Sequence, residues 1–349
     1  MRLVARPNRN SPLRDAMMPV AAVAASLLIC AVLILLAGAN PLTAFGIMAK
    51  AAFWGKFAAP LILSGLAALV ALRTRFWNIG GEGQIIVGAM AAAWVGALTS
   101  LPTPLLIPFM LIGAALAGAA LAAVPASLKT RLGVDEVVST LMLNFIVMYL
   151  MQALLSGPWK DPVTGWTNSP SILRAAEFPV FWKGTRLHLG VLVAFLAVGV
   201  VGVIMKRTTL GLSMKIVGEN PRAARHAGLD VTRVTLAAAL LSGALAGLAG
   251  AGEIGGIQFQ AIASISSGYG YAGIGGALLA RLSAAGIIPA ALFIAAITTG
   301  ADEMSRQTGV PFFIADAMQG ICLIAVLVAM TLSRYQIRFR TSPERRATP

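Results

Sequence analysis

Residues 19–38 read PVAAVAASLLICAVLILLAG, a run with no charged side chain and no amide. A helix rises about 1.5 Å per residue, so such a run extends about 30 Å, the thickness of a bilayer's hydrocarbon core. Runs of the same character recur to the far end of the chain. Of the 349 residues, 58% are hydrophobic and 11% are charged, where a soluble domain carries about 25% charged residues. A soluble globule cannot hide so many continuous apolar stretches. The chain is expected to be all-α and polytopic in a membrane. The run at 19–38 is longer than the apolar core of a signal peptide, and Pro41 beyond it makes a poor cleavage site, so it is read as the first span.

Working outward from that run, the segmentation predicts ten spans, at 17–38, 57–72, 77–98, 104–126, 136–155, 188–205, 232–252, 268–282, 286–301 and 311–332. Pro, Gly, Asn and charged residues fill the breaks. With residues 1–16 as a cytoplasmic tail, alternation places 20 Lys and Arg inside and 7 outside, together the 27 of the chain. This asymmetry predicts both ends inside, with a transmembrane domain at 17–332 and a basic cytoplasmic tail at 333–349. The net charge of +14 sits at the ends of apolar runs. It does not form one solvated face, which argues against nucleic acid as a partner and for the membrane itself. Cys30 and Cys322 both lie inside apolar runs and offer neither a disulfide framework nor a metal-ligand spacing.

Two outer segments exceed turns. Residues 43–56, TAFGIMAKAAFWGK, are predicted to form an amphipathic helix in the interface. Residues 156–187 hold Trp159, Trp166 and Trp182 among four prolines. They fit either an aromatic belt on a rigid loop or a docking surface for an extracytoplasmic partner.

Polar residues at membrane depth need a reason, because a carboxylate there costs about 2.5–3.5 kcal/mol. Asn78-Ile79-Gly80-Gly81-Glu82-Gly83-Gln84 opens the third span with three helix-interrupting glycines. Asn78, Glu82 and Gln84 have two readings: they cap and hold a broken helix, or they line a transport route at one. Asn144, inside the fifth span, fits an interhelical hydrogen bond or a solute contact. Asp135 is placed to cap that span. The glycine-rich stretch 250–276 is read mainly as close helix packing, and Asp316 is left without an assigned role.

The inner loop 206–231 opens as KRTTLGLSMKIVGENPRAARHAGLD over 206–230. Asn220 is a good N-cap, Pro221 suits the first helical position, and Gly228 is a natural stop. A helix of about seven residues follows, too short to cross a membrane. It fits a surface helix meeting anionic lipid, or a helix pressing into a partner subunit.

These same stretches resemble a known family. Phe76-Trp77-Asn78-Ile79-Gly80-Gly81-Glu82-Gly83-Gln84 resembles the FNIGxEGQ motif of bacterial ABC-importer permeases for branched-chain amino acids, ribose and nucleosides. Val134 to Asn144 resembles that group's NEVISTIMLN segment, Val217 to Arg225 its VGENPxAA loop, and Gly270 to Leu279 its GFxGIAVALLG stretch. The likeness is collinear from about Lys50 to Met330 and is closest to the nucleoside and simple-sugar permeases. Trp77, Asp135 and Ala280 depart from the usual pattern. The resemblance implies a type II-like ABC importer permease in the bacterial inner membrane. It implies as partners two ATP-binding subunits, a second and different permease, and a periplasmic or lipid-anchored solute-binding protein. By that resemblance Gly218, Glu219, Asn220, Pro221, Arg222, Ala223 and Ala224 would couple to the ATPase, and Asn78, Glu82 and Asn144 would line the pathway, which Gln84 joins from the reading of the broken helix.

No G-x-x-x-x-G-K-[ST] occurs in the chain, so ATP is expected on a partner subunit and no cofactor on this one. A nucleoside leads the expected solutes, ahead of a simple sugar and a branched-chain amino acid. An ion-coupled transporter using Glu82 or Glu253, or a passive channel, are the rival readings. A membrane enzyme is disfavoured, since no HExxH, Cys/His cluster or Ser/His/Asp arrangement is visible.

Overall fold

The computed structural model describes residues 2–5, 12–54, 59–98, 102–181, 187–309, scattered positions between 311 and 328, and 335–338. The tenth expected span at 311–332, Asp316, Cys322, Trp182 and the expected tails at 1–16 and 333–349 lie wholly or partly outside the described residues.

Helices build the fold: α1 (Pro12–Leu36), α2 (Pro41–Trp54), α3 (Ala59–Arg73), α4 (Gly81–Gly96), α5 (Thr103–Ser127), α6 (Glu136–Ser156), α7 (Leu189–Arg207), α8 (Thr209–Glu219), α9 (Pro221–His226), α10 (Val231–Glu253), α11 (Tyr269–Leu279) and α12 (Ala284–Thr308). One strand pair, β1 (Arg2–Ala5) antiparallel to β2 (Tyr335–Arg338), accompanies them. A helix occupies each expected span from 17–38 to 286–301. Among the described residues, five helices are long and apolar enough to cross a bilayer. They become six if α1 and α2, turned by 119° at their break, count as one broken span. Helices α3, α4 and α11 have 15, 16 and 11 residues. At about 16–24 Å they are shorter than a hydrocarbon core. Length and composition thus support five or six crossings, and the count of ten needs protein around the shorter helices.

The chain forms two bodies, one of Lys56–Ala295 and one of Met1–Gly55 with Ala296–Pro349. In the larger body every residue of α3 from Ala59 to Ala71 is buried. Helix α10 packs on α3, α4 and α5 through small residues. A Cβ on Gly247 would sit 2.0 Å from the carbonyl oxygen of Ala114, and one on Gly88 would sit 2.5 Å from Gly247. Between apolar helices without water to expel, such backbone contact is what dispersion can use. Outside this centre, α5, α6 and α7 turn apolar side chains outward, with Leu116, Tyr149 and Leu196 all more than 60% exposed. Broad exposed apolar faces on helices of spanning length mark a lipid-facing surface. In the smaller body, a Cβ on Gly300 of α12 would meet Met48 of α2 at 2.9 Å.

Loop 206–231 holds more helix than expected. Helix α8 precedes the short one, started by Thr208, whose hydroxyl accepts from the Gly211 amide at 3.2 Å. Its polar, Thr-rich start conceals an amphipathic turn pattern. Helix α6 is capped as expected by Asp135, which accepts from the amides of Val137 at 2.8 Å and Val138 at 3.1 Å.

Candidate transport site

Chain between α3 and α4 breaks at 74–80, and all four polar residues singled out for a pathway are buried, Asn78 within the break, Glu82 and Gln84 in the first turn of α4 and Asn144 on α6. Asn78 and Gln84 pair amide to amide. Asn78 Nδ2 donates to Gln84 Oε1 at 2.9 Å, and Gln84 Nε2 donates to Asn78 Oδ1 at 3.0 Å. Asn78 also donates to Ser242 Oγ of α10 at 2.9 Å and accepts from the Gly80 amide at 3.1 Å. The Ser242 hydroxyl passes its own proton to the carbonyl of Ala67 at 2.7 Å. One amide thus ties α3, α4 and α10 together. Each of its polar atoms is satisfied, which at this depth is what permits it.

Asn144 of α6 serves the same break from the other side. Its Oδ1 accepts from the Gly83 amide at 2.9 Å, and its Nδ2 donates to the carbonyl of Ile79 at 2.9 Å and reaches Tyr271 Oη at 3.1 Å. Gly83 admits this contact because a Cβ there would lie 2.8 Å from Asn144 Oδ1.

Glu82 points away from that pair and onto α11. Its carboxylate accepts from the Gly268 amide at 3.0 Å and the Gly270 amide at 2.8 Å. A carboxylate at a helix N-terminus meets unpaired N–H groups and the positive end of the helix dipole. Gly270 lets α11 come this close, since a Cβ on it would stand 2.2 Å from the Glu82 amide nitrogen. The structure therefore groups Asn78 with Gln84, sets Asn144 beside them, and gives Glu82 a separate task at a second interrupted helix.

The inner loop forms a compact unit. Asn220 Oδ1 accepts from the amides of Arg222 at 3.0 Å and Ala223 at 3.1 Å, Pro221 opens α9, and Gly228 stops it with φ 81°. Ala224 is buried, while Arg222 and Arg225 are exposed. Gly218 fastens the unit to the rest, because a Cβ there would lie 2.0 Å from the carbonyl oxygen of Arg73. Arg73 ends α3 and is followed directly by the 74–80 break. Backbone contact thus runs from the α8–α9 unit to the segment that carries Asn78.

Sequence reasoning missed Ser242, Tyr271 and the amides of Gly268 and Gly270 as partners of this cluster. A serine in the otherwise Ala-, Leu- and Gly-rich run of α10 was the one available signal. It also missed how loop 156–187 is held. The amides of Ser169, Ile172 and Phe178 donate to the carbonyls of Ala261, Phe259 and Gly255 at 2.9, 2.8 and 2.7 Å. Asn168 Nδ2 reaches Gln260 Oε1 at 2.8 Å. Between these two segments opens a cleft of about 490 Å³ bordered by Trp166, Asn168 and Gln260.

Comparison with known proteins agrees with this architecture. The family described as "Branched-chain amino acid transport system / permease component" matches residues 51–329. The chain is 34% identical, over 91% of its length and 89% of the relative's, to a glucose ABC transporter permease protein of Haloferax volcanii. It is 37% identical to a guanosine ABC transporter permease protein of Bacillus subtilis, over 80% of each chain. It is 30% identical to a nucleoside ABC transporter permease protein of Lactococcus lactis, over 86% of this chain and 88% of that one. Apolar helices of spanning length, a helix broken and re-tied by buried amides, and these matches across most of the sequence converge: the chain belongs to the permease-component family of branched-chain amino acid-type ABC transport systems.

Proposed function

We propose that this permease works in an ATP-driven importer and that its solute is a nucleoside. The observation that carries the mechanism is the contact of Gly218 with the carbonyl of Arg73. ATP binding closes a partner dimer, the partner pushes on Gly218 to Ala224, and α8 transmits the push to the end of α3. The break at 74–80 then shifts against α6, α10 and α11. Asn78, Gln84 and Asn144 exchange hydrogen bonds with one another for hydrogen bonds with solute as the helices part. Glu82 holds α11 as that happens. Buried amide networks have this capacity because each bond lost inside must be replaced, so two discrete arrangements are favoured over a continuum.

Relatives named for guanosine and for nucleosides support the solute. The cleft beside Trp166, Asn168 and Gln260 lies in the usual size range of small-ligand pockets, about 300–1,000 Å³, and offers an aromatic face with amides. A simple sugar is the second reading, supported by the relative named for glucose, whose match covers more of the chain. Ten passes with both ends cytoplasmic follow from the charge asymmetry. The inner membrane, a second permease and an extracytoplasmic solute-binding protein complete the proposal as what membership of this family implies.

Reconstituted with its copurifying subunits in proteoliposomes, the assembly should take up labelled guanosine only with ATP, and an uncoupler should leave uptake intact. Replacing residues 219–224 by a glycine–serine linker should release the ATP-binding subunit. Uptake that persists without ATP and collapses with the uncoupler would overturn the ATP-driven reading. Glucose uptake without guanosine uptake would replace the solute.

A further inference from the structure

Behind the end of α3 opens a second pocket, separate from the buried amides. Its volume is about 230 Å³, and Arg73, Met205, Lys206, Lys215, Leu282 and Ser283 help to wall it. Three cations border it, and none of its lining residues is acidic. Arg73 Nη2 donates to the carbonyl of Leu282 at 2.6 Å, but its Nε is buried with no hydrogen-bond partner among the described residues. Among the described residues Lys206 makes no ion pair, and Lys215 makes only a long one, 3.9 Å to Glu219. Leu282 in the wall holds left-handed backbone, φ 56°, as does Arg281 just before it, φ 53°. Non-glycine residues adopt that conformation at a cost and cluster where a site is shaped. Three positive groups around one small volume repel each other unless an anion stands among them.

The pocket also continues into an apolar surface. On α7 the exposed Leu192, Phe195, Leu196, Val200 and Val203 follow at helical spacing. They make one stripe that ends at Lys206. A free anion has use for the cations only. A ligand with a charged head and hydrocarbon tails has use for both.

We propose that this pocket binds the phosphate headgroup of an anionic phospholipid, with its acyl chains along the α7 stripe. The Arg73 guanidinium supplies the inner positive charge for a phosphodiester, and Lys206 and Lys215 neutralise it from the open side. Because Lys215 belongs to α8 and Arg73 to α3, the lipid bridges the two helices that meet at Gly218. The inference rests on α7 facing lipid and is independent of the solute.

The test uses the purified assembly, delipidated in neutral detergent, with native mass spectrometry and thermal melting as readouts. Phosphatidylglycerol, phosphatidylcholine and inorganic phosphate are titrated separately. Phosphatidylglycerol should be retained and should raise the melting temperature, whereas phosphatidylcholine should bind about tenfold or more weakly. Lys206→Gln combined with Lys215→Gln, two exposed positions whose change leaves the fold intact, should weaken phosphatidylglycerol by about tenfold or more. Arg73→Gln should weaken it as well. If Arg73→Gln fails to fold for want of the Leu282 contact, the lysine pair decides. Equal binding of the two lipids overturns the proposal. Competition by inorganic phosphate as strong as by phosphatidylglycerol reassigns the pocket to a free anion. Binding that emerges only after the ATP-binding subunit is stripped away shows that an acidic group of the partner fills the pocket, and this too overturns it. Loss of ATP-driven uptake with lipid selectivity unchanged counts against the transport reading alone.

Discussion

Asn144 shows how much one side chain settles at this depth. Its carbonyl accepts from Gly83 and its amino group donates to Ile79, so an isosteric carboxylate can make the first bond and not the second. Asn144→Asp leaves the Ile79 carbonyl facing an oxygen and should destabilise the protein by about 1–3 kcal/mol, read as a lowered melting temperature in detergent. Asn144→Ala keeps neither bond and should cost a similar amount, so unchanged melting in both variants would remove the asparagine from the account of the break. Gly270 makes a separate prediction. A methyl group there meets the Glu82 backbone at 2.2 Å, and backbone cannot rotate away. Gly270→Ala should therefore cost about 1–3 kcal/mol or more, whereas Gly252→Ala, with nothing near its Cβ, should melt like the parent. The glycine and the amide types were legible in the sequence as a broken helix. Their partners were not, because Ser242 lies 164 residues from Asn78 and Gly270 lies 188 from Glu82.

At the scale of elements, α9 owes its start to one side chain. Asn220→Ala removes both capping bonds and should weaken the helix by about 0.5–2 kcal/mol. Hydrogen exchange should show faster exchange at residues 222–227, with the core of α10 unchanged. Gly218→Ala acts on the joint of α8 with α3 and leaves α9 itself intact. Its Cβ collides with the Arg73 carbonyl at 2.0 Å, so ATP hydrolysis should continue while uptake falls, a separation measurable in the same proteoliposomes. Unaltered uptake in Gly218→Ala would show that the push travels by another route. The caps at Asn220 and Asp135 were legible because capping is local chemistry within three residues. Helix α8 was not, since its polar start reads as loop until Gly218 is seen packed on α3.

For the whole molecule, the outward apolar faces of α5, α6 and α7 carry the membrane assignment. Leu196, at mid-helix on α7 and 66% exposed, should accept alanine with little effect. Arginine there should cost about 2.5–3.5 kcal/mol of insertion, seen as reduced yield in the membrane fraction. Equal yields of both variants would argue that lipid does not meet this face.

The sequence by itself determined that the chain is helical and apolar with runs of spanning length, that the helix entering α4 is broken by glycines, and that Asp135 and Asn220 cap α6 and α9. All of these depend on neighbours within a few positions, so hydropathy, period and cap chemistry suffice to read them. Only the tertiary structure decided that α3, α4 and α11 are too short to cross alone and lie wrapped in protein. It also decided that residues 168–178 are hydrogen-bonded to 255–261, and that three cations from distant helices share one pocket. The physical reason is that a hydrogen bond or a backbone approach between segments a hundred residues apart leaves no periodic trace along the chain. It exists only once the small residues of α10 have let the helices close.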